Sequence, residues 1–197
     1  PILLHLCNIL EPNLTRPTRR SHAIPVLSVL GFLATGTFQH EIGDRSGISQ
    51  PTMSRILPAV LNGILKLVKF PYDAQRQVET MQGFSAIANM PGVISAIDCT
   101  HVRIKAPSGD AFAYINRKNF HSLNVQLICD AKCVLLNVEA RWPGGTHDAF
   151  ILHNSTVGTR LEDGAVRNGW LIGKSIACLY NCMCVLYMDL PFYIHRG

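Results

Sequence analysis

Apolar residues in the first third of the chain recur at alternating steps of three and four, which is the spacing of one helix face. The most regular stretch runs from Met53 to Val68, with Ser49 at the position of a helix N-cap. Pro58 lies inside this stretch and should kink the helix, because proline lacks the backbone N–H donor. Two shorter helices are predicted upstream, over Ile24 to Ala34 and His40 to Ser46.

The last two predicted helices flank Gly47, and their order and spacing are typical of a helix-turn-helix. On the second of them, Arg55 is expected to face outward together with Ser49, Gln50 and Thr52, so these side chains are candidate DNA contacts. A small helical bundle that packs on the next domain explains the pattern equally well, since Arg55 is the only basic residue of the group. We predict a helical, helix-turn-helix-like module over residues 1–90.

The pattern changes at Gly92, where short runs of β-branched and apolar residues replace the helical period. Asp130 to Lys132 suits a hairpin turn between the last two runs, and a helix is predicted from His147 to His153. The predicted strands cover Val93 to Ile97, Val102 to Lys105, Asn124 to Cys129 and Val134 to Glu139. Strands followed by a helix, after a helical module, indicate an α/β chain of the mixed α+β type.

Composition narrows the class of protein. Hydrophobic residues make up 48% of the 197 residues, which is enough for a buried core and excludes wholesale disorder. Eighteen Lys and Arg against 13 Asp and Glu leave a net charge of +5, which is compatible with a polyanionic partner. No apolar run reaches the roughly 18 to 20 residues that cross a bilayer, so we expect no membrane partner. The chain begins with Pro1, and we expect a fragment or a processed product.

The seven cysteines cannot all pair with one another, because their number is odd. Reduced thiols in a nuclear or cytoplasmic protein fit this count better than a disulfide framework. Cys178, Cys182 and Cys184 cluster near the end of the chain, but a zinc site there would need a fourth ligand, so incidental thiols are the preferred interpretation.

Two aspartates are the candidate catalytic residues. Asp98 follows the run Val93 to Ile97 and should stand at a strand end, while Asp148 follows a Pro-Gly-Gly loop at the start of a helix. Carboxylates brought together repel one another unless a cation joins them, and such hard oxygen ligands suit Mg²⁺ or Mn²⁺. The alternative for each aspartate, and for Asp130 at the end of another β run, is a helix cap or turn residue.

Basic residues cluster after Asp98, and they favour a site that attracts phosphate. Ion pairing across neighbouring strands is the alternative. Arg103, Arg117 and Lys118 are the candidate contacts to a nucleic-acid backbone, beside His101, Lys105 and His121.

Several segments together resemble the PIF/Harbinger transposase-derived nucleases, a branch of the DDE superfamily. Residues 96–102 (AIDCTHV) resemble the family's "DGTH" strand, with Cys99 where glycine is usual. Residues 114–126 are similar to its "NRK…S.NVQ" block, residues 141–148 to its "WPGS.HD" block, and residues 32–55 to its helix-turn-helix region. The likeness covers about residues 20 to 173, with the blocks in the correct order.

The resemblance implies an RNase H-like catalytic domain in which three acids bind divalent metal and cleave DNA. Asp98 corresponds to the first acid and Asp148 to the second, while the third lies downstream of a "GDSGY" block. From Lys174 onward the sequence departs from that block. We therefore expect a partial RNase H-like domain over residues 91–173, a divergent tail over 174–197, and a C-terminally truncated chain.

Two functions remain open on these grounds. The first is a transposase-derived endonuclease that hydrolyses phosphodiester bonds through a divalent-metal carboxylate site, with weak or no activity in this chain because the third acid is missing. The second is a non-enzymatic, domesticated fragment that binds DNA or protein. The resemblance also implies a Myb-like DNA-binding partner and a location in the nucleus, with the cytoplasm as the alternative.

Overall fold

A computed structural model describes residues 2–10, 23–166 and 169–173, together with three short strand segments beyond residue 178. The chain divides into two compact units, Pro1–Val68 and Lys69–Gly197. This division lies upstream of the predicted boundary at residue 90, because the helix Ala74–Ala88 belongs to the second unit. The predicted divergence from Lys174 falls largely outside the described residues.

The first unit consists of helices in its described part: α1 (Ile2–Leu10), α2 (Ala23–Thr35), α3 (Gln39–Ser46) and α4 (Gln50–Leu65). The sequence predicted α2, α3 and α4, which are confirmed, although α4 ends three residues before Val68 and runs through Pro58 as one helix. Their apolar stripes meet in a core built from Leu10, Val26, Val29, Ile42, Met53 and Val60.

The turn between α3 and α4 has the geometry that the sequence predicted. Gly47 ends α3 with a left-handed φ of 64°, and its N–H bonds to the carbonyl groups of the preceding turn. Gly43 allows a close approach, because a Cβ there would lie 2.7 Å from the Ile48 carbonyl oxygen. Ser49 is the N-cap of α4, but its hydroxyl bonds to the Thr52 hydroxyl rather than to a backbone N–H. The helix-turn-helix arrangement thus depends on two glycines at its bend.

The second unit opens with α5 (Ala74–Ala88), whose N-cap Asp73 accepts a hydrogen bond from the Arg76 N–H at 2.9 Å. The remaining elements are β1 (Val93–Arg103), β2 (Ser122–Cys129), β3 (Leu135–Pro143), α6 (Asp148–His153), α7 (Thr156–Glu162), β4 (Trp170–Gly173), β5 (Leu179–Tyr180), β6 (Met183–Cys184) and β7 (Leu186–Tyr187). The mixed α+β class predicted from the sequence is confirmed.

The main sheet has the strand order β3-β2-β1-β4-β7. β2 pairs antiparallel with both β1 and β3, whereas β4 pairs parallel with β1. The sequence predicted two separate strands over 93–97 and 102–105, and this was wrong because pairing with β2 continues from Ala96 to Arg103 without a break. β1 is consequently one long strand at the centre of the sheet.

The core of the second unit joins the sheet to its helices. α5 contributes Met81, and Gln77 Nε2 donates to the Ala165 carbonyl oxygen at 3.2 Å. The fully buried members include Ile94, Ile97, Ile128, Leu152, Leu161 and Leu171. Among the residues that the structure describes, no helix is both long enough and apolar enough to cross a membrane.

Candidate active site

Asp98 lies in the middle of β1, not at a strand end as the sequence predicted. Among the described residues, β4 pairs with β1 up to Ile97, whose partner is Gly173, and β2 pairs with β1 up to Arg103. The carboxylate of Asp98 is exposed, and its Oδ1 accepts a hydrogen bond from the Cys99 N–H at 2.9 Å.

Asp148 begins α6, and a buried amide holds its carboxylate in place. Its Oδ1 accepts a hydrogen bond from Asn124 Nδ2 at 2.8 Å, and the same amide donates to the Thr146 carbonyl oxygen at 2.9 Å. Asn124 is only 1% exposed, so these two bonds tie the start of α6 to β2. His147 is the N-cap of the helix, where its Nδ1 accepts from the Ala149 N–H at 3.4 Å.

Ser122, Asn124 and Gln126 form a buried polar column on β2 beside Asp148. Alternate residues of a strand share a face, so all three side chains point the same way. The Oδ1 of Asn124 and the Oε1 of Gln126 have no hydrogen-bond partner among the described residues. Unpartnered buried oxygens are costly, so this column is suited to bind a cation or a hydrogen-bond donor.

The strand register places Cys99, His101 and Arg103 of β1 opposite this column. The Oγ of Ser122 lies 3.2 Å from Nδ1 of His101 and accepts a hydrogen bond from Asn116 Nδ2 at 2.9 Å. The position of the His101 ring is thereby linked to a buried serine and a buried asparagine.

Asn124 of the column and the start of α6 border a cleft of about 440 Å³. Its lining includes His101, Asn116, Arg117, Asn124, His147 and Asp148. Asp98 is not part of this lining. Of the two predicted acids, the structure thus places Asp148 in the cleft and leaves Asp98 outside its lining.

The Cys99 thiol is half-buried and contacts Asp148. Burial raises the pKa of its thiol to about 12, and the charges of Asp148 and Asp98 act in the same direction. The thiol also interacts directly with Asp148, and its Sγ lies 3.9 Å from Gln126 Nε2. Successive strand residues point to opposite faces, so Asp98 and Asp148 approach Cys99 from different sides of β1.

The oxygen donors fit Mg²⁺ or Mn²⁺ in chemical type but not in number. The Asp148 carboxylate and the free amide oxygens of Asn124 and Gln126 are hard ligands of the kind that these ions prefer. Across the described part of the chain, however, no three His, Cys, Asp or Glu side chains form a group that could hold a metal ion. A complete site for either ion would need further ligands.

Glycines close one wall of the cleft. A Cβ on Gly144 would meet the Ser122 hydroxyl and would lie 2.7 Å from the Tyr114 carbonyl oxygen. At Gly145 a Cβ would lie 2.8 Å from the Ala113 carbonyl oxygen, the same atom that accepts a hydrogen bond from the Gly145 N–H. The Pro-Gly-Gly sequence therefore lets the backbone before α6 pack directly against the segment around Ala113.

The basic candidates differ in their surroundings. Arg117 is exposed and lines the cleft, and Lys118 is exposed next to it. Arg103 stacks over the Phe120 ring, with 4.3 Å between its guanidinium carbon and the ring centroid. Arg55 lies in the first unit, where its side chain folds back onto α4 and donates to the Pro51 carbonyl oxygen at 3.2 Å.

Sequence reasoning gave no role to the buried polar column or to Asn116. A signal was present, because Ser122, Asn124 and Gln126 alternate with the apolar residues Leu123 and Val125. That alternation is usually interpreted as a solvated strand face. Asp130, in contrast, is a turn residue, because its Oδ1 accepts hydrogen bonds from the N–H groups of Lys132 and Val134.

Comparison with known proteins matches residues 97–176 to the family described as DDE superfamily endonuclease. The matched segment begins next to Asp98 and contains Asp148 and the polar column. This chain carries a domain of the DDE superfamily endonuclease family. The segment of β1 that bears Asp98, the cleft and β4 therefore all belong to the family domain.

Curated relatives match most of the chain. The chain is 39% identical to "Putative nuclease HARBI1" of Rattus norvegicus over 187 residues, which cover 91% of this chain and 54% of the relative. It is likewise 39% identical to the Homo sapiens protein of that name over 181 residues, 88% of this chain and 52% of the relative. A "Protein ALP1-like" of Arabidopsis thaliana is 27% identical over 141 residues, 70% of this chain and 34% of the relative.

The chain spans about half the length of the curated HARBI1 relatives it matches. No solved structure matches it.

Proposed function

We propose that this chain carries the metal-binding half of a DNA endonuclease site, in which Asp98 and Asp148 hold Mg²⁺ or Mn²⁺ for phosphodiester hydrolysis. The observation that carries the proposal is the position of the Asp148 carboxylate in a cleft that Asn124 and Arg117 also line, with the Asn124 Oδ1 unpartnered among the described residues. Asp98 is included because it corresponds to the first acid of the family that the sequence resembles. A divalent ion bound there would neutralise phosphate charge and lower the pKa of a bound water.

Residues of this chain would position the Asp148 carboxylate and the DNA backbone. Asn124 fixes the Asp148 carboxylate through its Oδ1, and the Cys99 thiol contacts the same carboxylate. Arg117, at the cleft, and the exposed Lys118 would attract the phosphate backbone. Arg103 would contact the same backbone, and Arg55 would contact DNA from the helical unit.

Activity of this chain by itself should be weak or absent. The described residues provide no third acid, and too few carboxylates leave the charge of bound metal poorly compensated. The relatives named as nucleases are about twice as long, so the full activity is assigned to the longer protein.

A plasmid-nicking assay with Mg²⁺ or Mn²⁺ tests the proposal. It compares the chain with a version in which the family pattern continues after Gly173, and with Asp98→Asn and Asp148→Asn variants of that version. We expect the extended version to nick DNA and either variant to abolish nicking. Asp163→Asn, an exposed aspartate after α7, is the matched control and should nick normally. Normal nicking by the Asp98 and Asp148 variants would remove these residues from the mechanism.

A second candidate function is a non-enzymatic module that binds DNA or protein. It is favoured by the absence of Asp98 from the lining of the cleft that contains Asp148. DNA binding without nicking by the extended version would support it. In either case we propose a nuclear location and a Myb-like DNA-binding partner that provides target recognition. Immunofluorescence and co-precipitation with that class of partner test these two proposals.

A further inference from the structure

Phe112 is one of the most exposed apolar side chains in the described part of the chain, at 84%. Single exposed apolar residues are common on protein surfaces and require no explanation by themselves. Phe112 differs because a rigid backbone holds it beside the candidate active site.

The short 3-10 turn Ala111–Tyr114 carries Phe112, and hydrogen bonds fix the turn at three points. Asp110 enters it with a left-handed φ of 48°, and its carbonyl oxygen accepts from the Ala113 N–H at 3.1 Å. The Phe112 carbonyl oxygen accepts from the Ile115 N–H at 3.1 Å, and Gly145 ties the turn to the cleft wall through Ala113 at 2.9 Å. The ring is therefore exposed on a backbone that is already ordered.

A second cavity of about 370 Å³ lies next to Phe112. Its lining is largely apolar and consists of Phe112, Ala113, Ile115, Pro143, Gly145 and Thr146. Ile115, Gly145 and Thr146 also line the cleft that contains Asp148 and Arg117. This largely apolar cavity, which we call the shelf, is thus continuous along Gly145 with the cleft that Arg117 lines.

We propose that Phe112 and this shelf bind an unpaired nucleotide base by stacking, with the phosphate of the same strand in the adjoining cleft. The proposal rests on the proposed function for the identity of the ligand as nucleic acid. Sites that bind single strands combine aromatic platforms for the bases with basic residues for the phosphates. Here Phe112 provides the platform, and Arg117, at the neighbouring cleft, provides the cation.

Stacking on a phenylalanine ring reads the flat face of a base and not its hydrogen-bonding edge. The shelf should therefore prefer unpaired DNA over duplex DNA, with little preference among the four bases. The aromatic side chain loses few rotamers on binding, and its backbone is already fixed, so the ordering cost is low.

Fluorescence on the full chain tests the proposal without metal. The probe is a short single-stranded DNA that carries a 2-aminopurine base and a fluorescein end label, with anisotropy as the measure of binding. Loss of one stacked base should raise the Kd of Phe112→Ala by roughly 5- to 150-fold and abolish the quenching of 2-aminopurine. Phe112→Tyr should bind normally, and Phe112→Trp should show additional indole emission that DNA quenches.

Phe38→Ala is the matched control, because Phe38 is also 84% exposed but lies in the other unit. It should leave the quenching unchanged. The proposal would be overturned if DNA bound without changing the emission of Phe112→Trp, or if the single strand did not bind at all. Either result would favour a protein as the ligand of the shelf. Nicking by the extended version without stacking would refute only the role of Phe112, and stacking without nicking would refute only the endonuclease activity.

Discussion

Replacing Asn124 with alanine should destabilise the second unit by an amount that its two hydrogen bonds determine. One bond satisfies the Thr146 carbonyl oxygen at 2.9 Å, and the other satisfies the charged Asp148 Oδ1 at 2.8 Å. A neutral hydrogen bond contributes about 1 kcal/mol and one to a charged group about 1.5 to 3 kcal/mol. Asp148 is half-buried and can recover some solvation, so we expect a total loss of about 2 to 4 kcal/mol.

Urea unfolding of the full chain, followed by circular dichroism, measures this loss. With a slope of about 2 kcal/mol per molar urea, the midpoint of the second unit should fall by about 1 to 2 M. Asn154→Ala is the matched control, because Asn154 is exposed and its Nδ2 donates to the Phe150 carbonyl oxygen at the same 2.8 Å. That control should change the stability by less than about 0.5 kcal/mol.

The Asn124→Asp variant tests the effect of added charge on stability while the shape of the side chain is kept. It nearly preserves the volume of the side chain but places a second carboxylate against Asp148, and like charges raise the pKa of one member of such a pair. The folded state then binds more protons than the unfolded state, so the stability of this variant should recover as the pH falls from 7 toward 4. An alanine variant as stable as the wild type, or an aspartate variant with no acid recovery, would refute the proposed role of Asn124.

Three further predictions concern the same region. Gly144→Ala should lower the thermal midpoint by several degrees, because its Cβ meets the Ser122 hydroxyl and two carbonyl oxygens, whereas Gly109→Ala, with no atom within 4 Å, should not. Burial raises the pKa of the Cys99 thiol from 9.0 to about 12, so its contribution to stability should be complete below pH 9 and decline as the pH rises toward 12. Urea midpoints of the wild type and Cys99→Ser across this range measure the decline, and a constant difference would contradict it. Arg117→Gln should weaken DNA binding and reduce the slope of log K against log salt by roughly one, while an unchanged slope would remove Arg117 from the phosphate contacts.

Much of the fold could be predicted because local signals and tertiary packing agree. Gly47 and the apolar stripe of α4 determined the helix-turn-helix, and the Asp130 turn determined the β2–β3 hairpin. The division of β1 into two strands failed for a physical reason. Asp98 and Thr100 interrupt an apolar run in the sequence. In the structure, backbone pairing with β2 continues through both residues regardless of their side chains.

The candidate site was only partly predictable. Asp98 and Asp148 were recognisable as acids at the ends of apolar or glycine-rich segments, but the sequence could not reveal that they approach Cys99 from different sides of β1. The buried amide of Asn124 depended on the register between β1 and β2, which local patterns do not fix. Phe112 carried no sequence signal, because its exposure results from a turn that Gly145 anchors.

The close packing around Gly144 determines what a sequence change at this position would mean in proteins descended from this domain. Two of the three atoms that a side chain would meet there are main-chain carbonyl oxygens, so no substitution elsewhere could create the missing space. Selection for a folded chain would preserve this glycine even in a lineage that had lost all chemistry. Retention of Gly144 would therefore indicate that the fold has been kept. Substitution of Arg117 or Asp148, at positions where the fold permits change, would indicate that the catalytic activity has been lost.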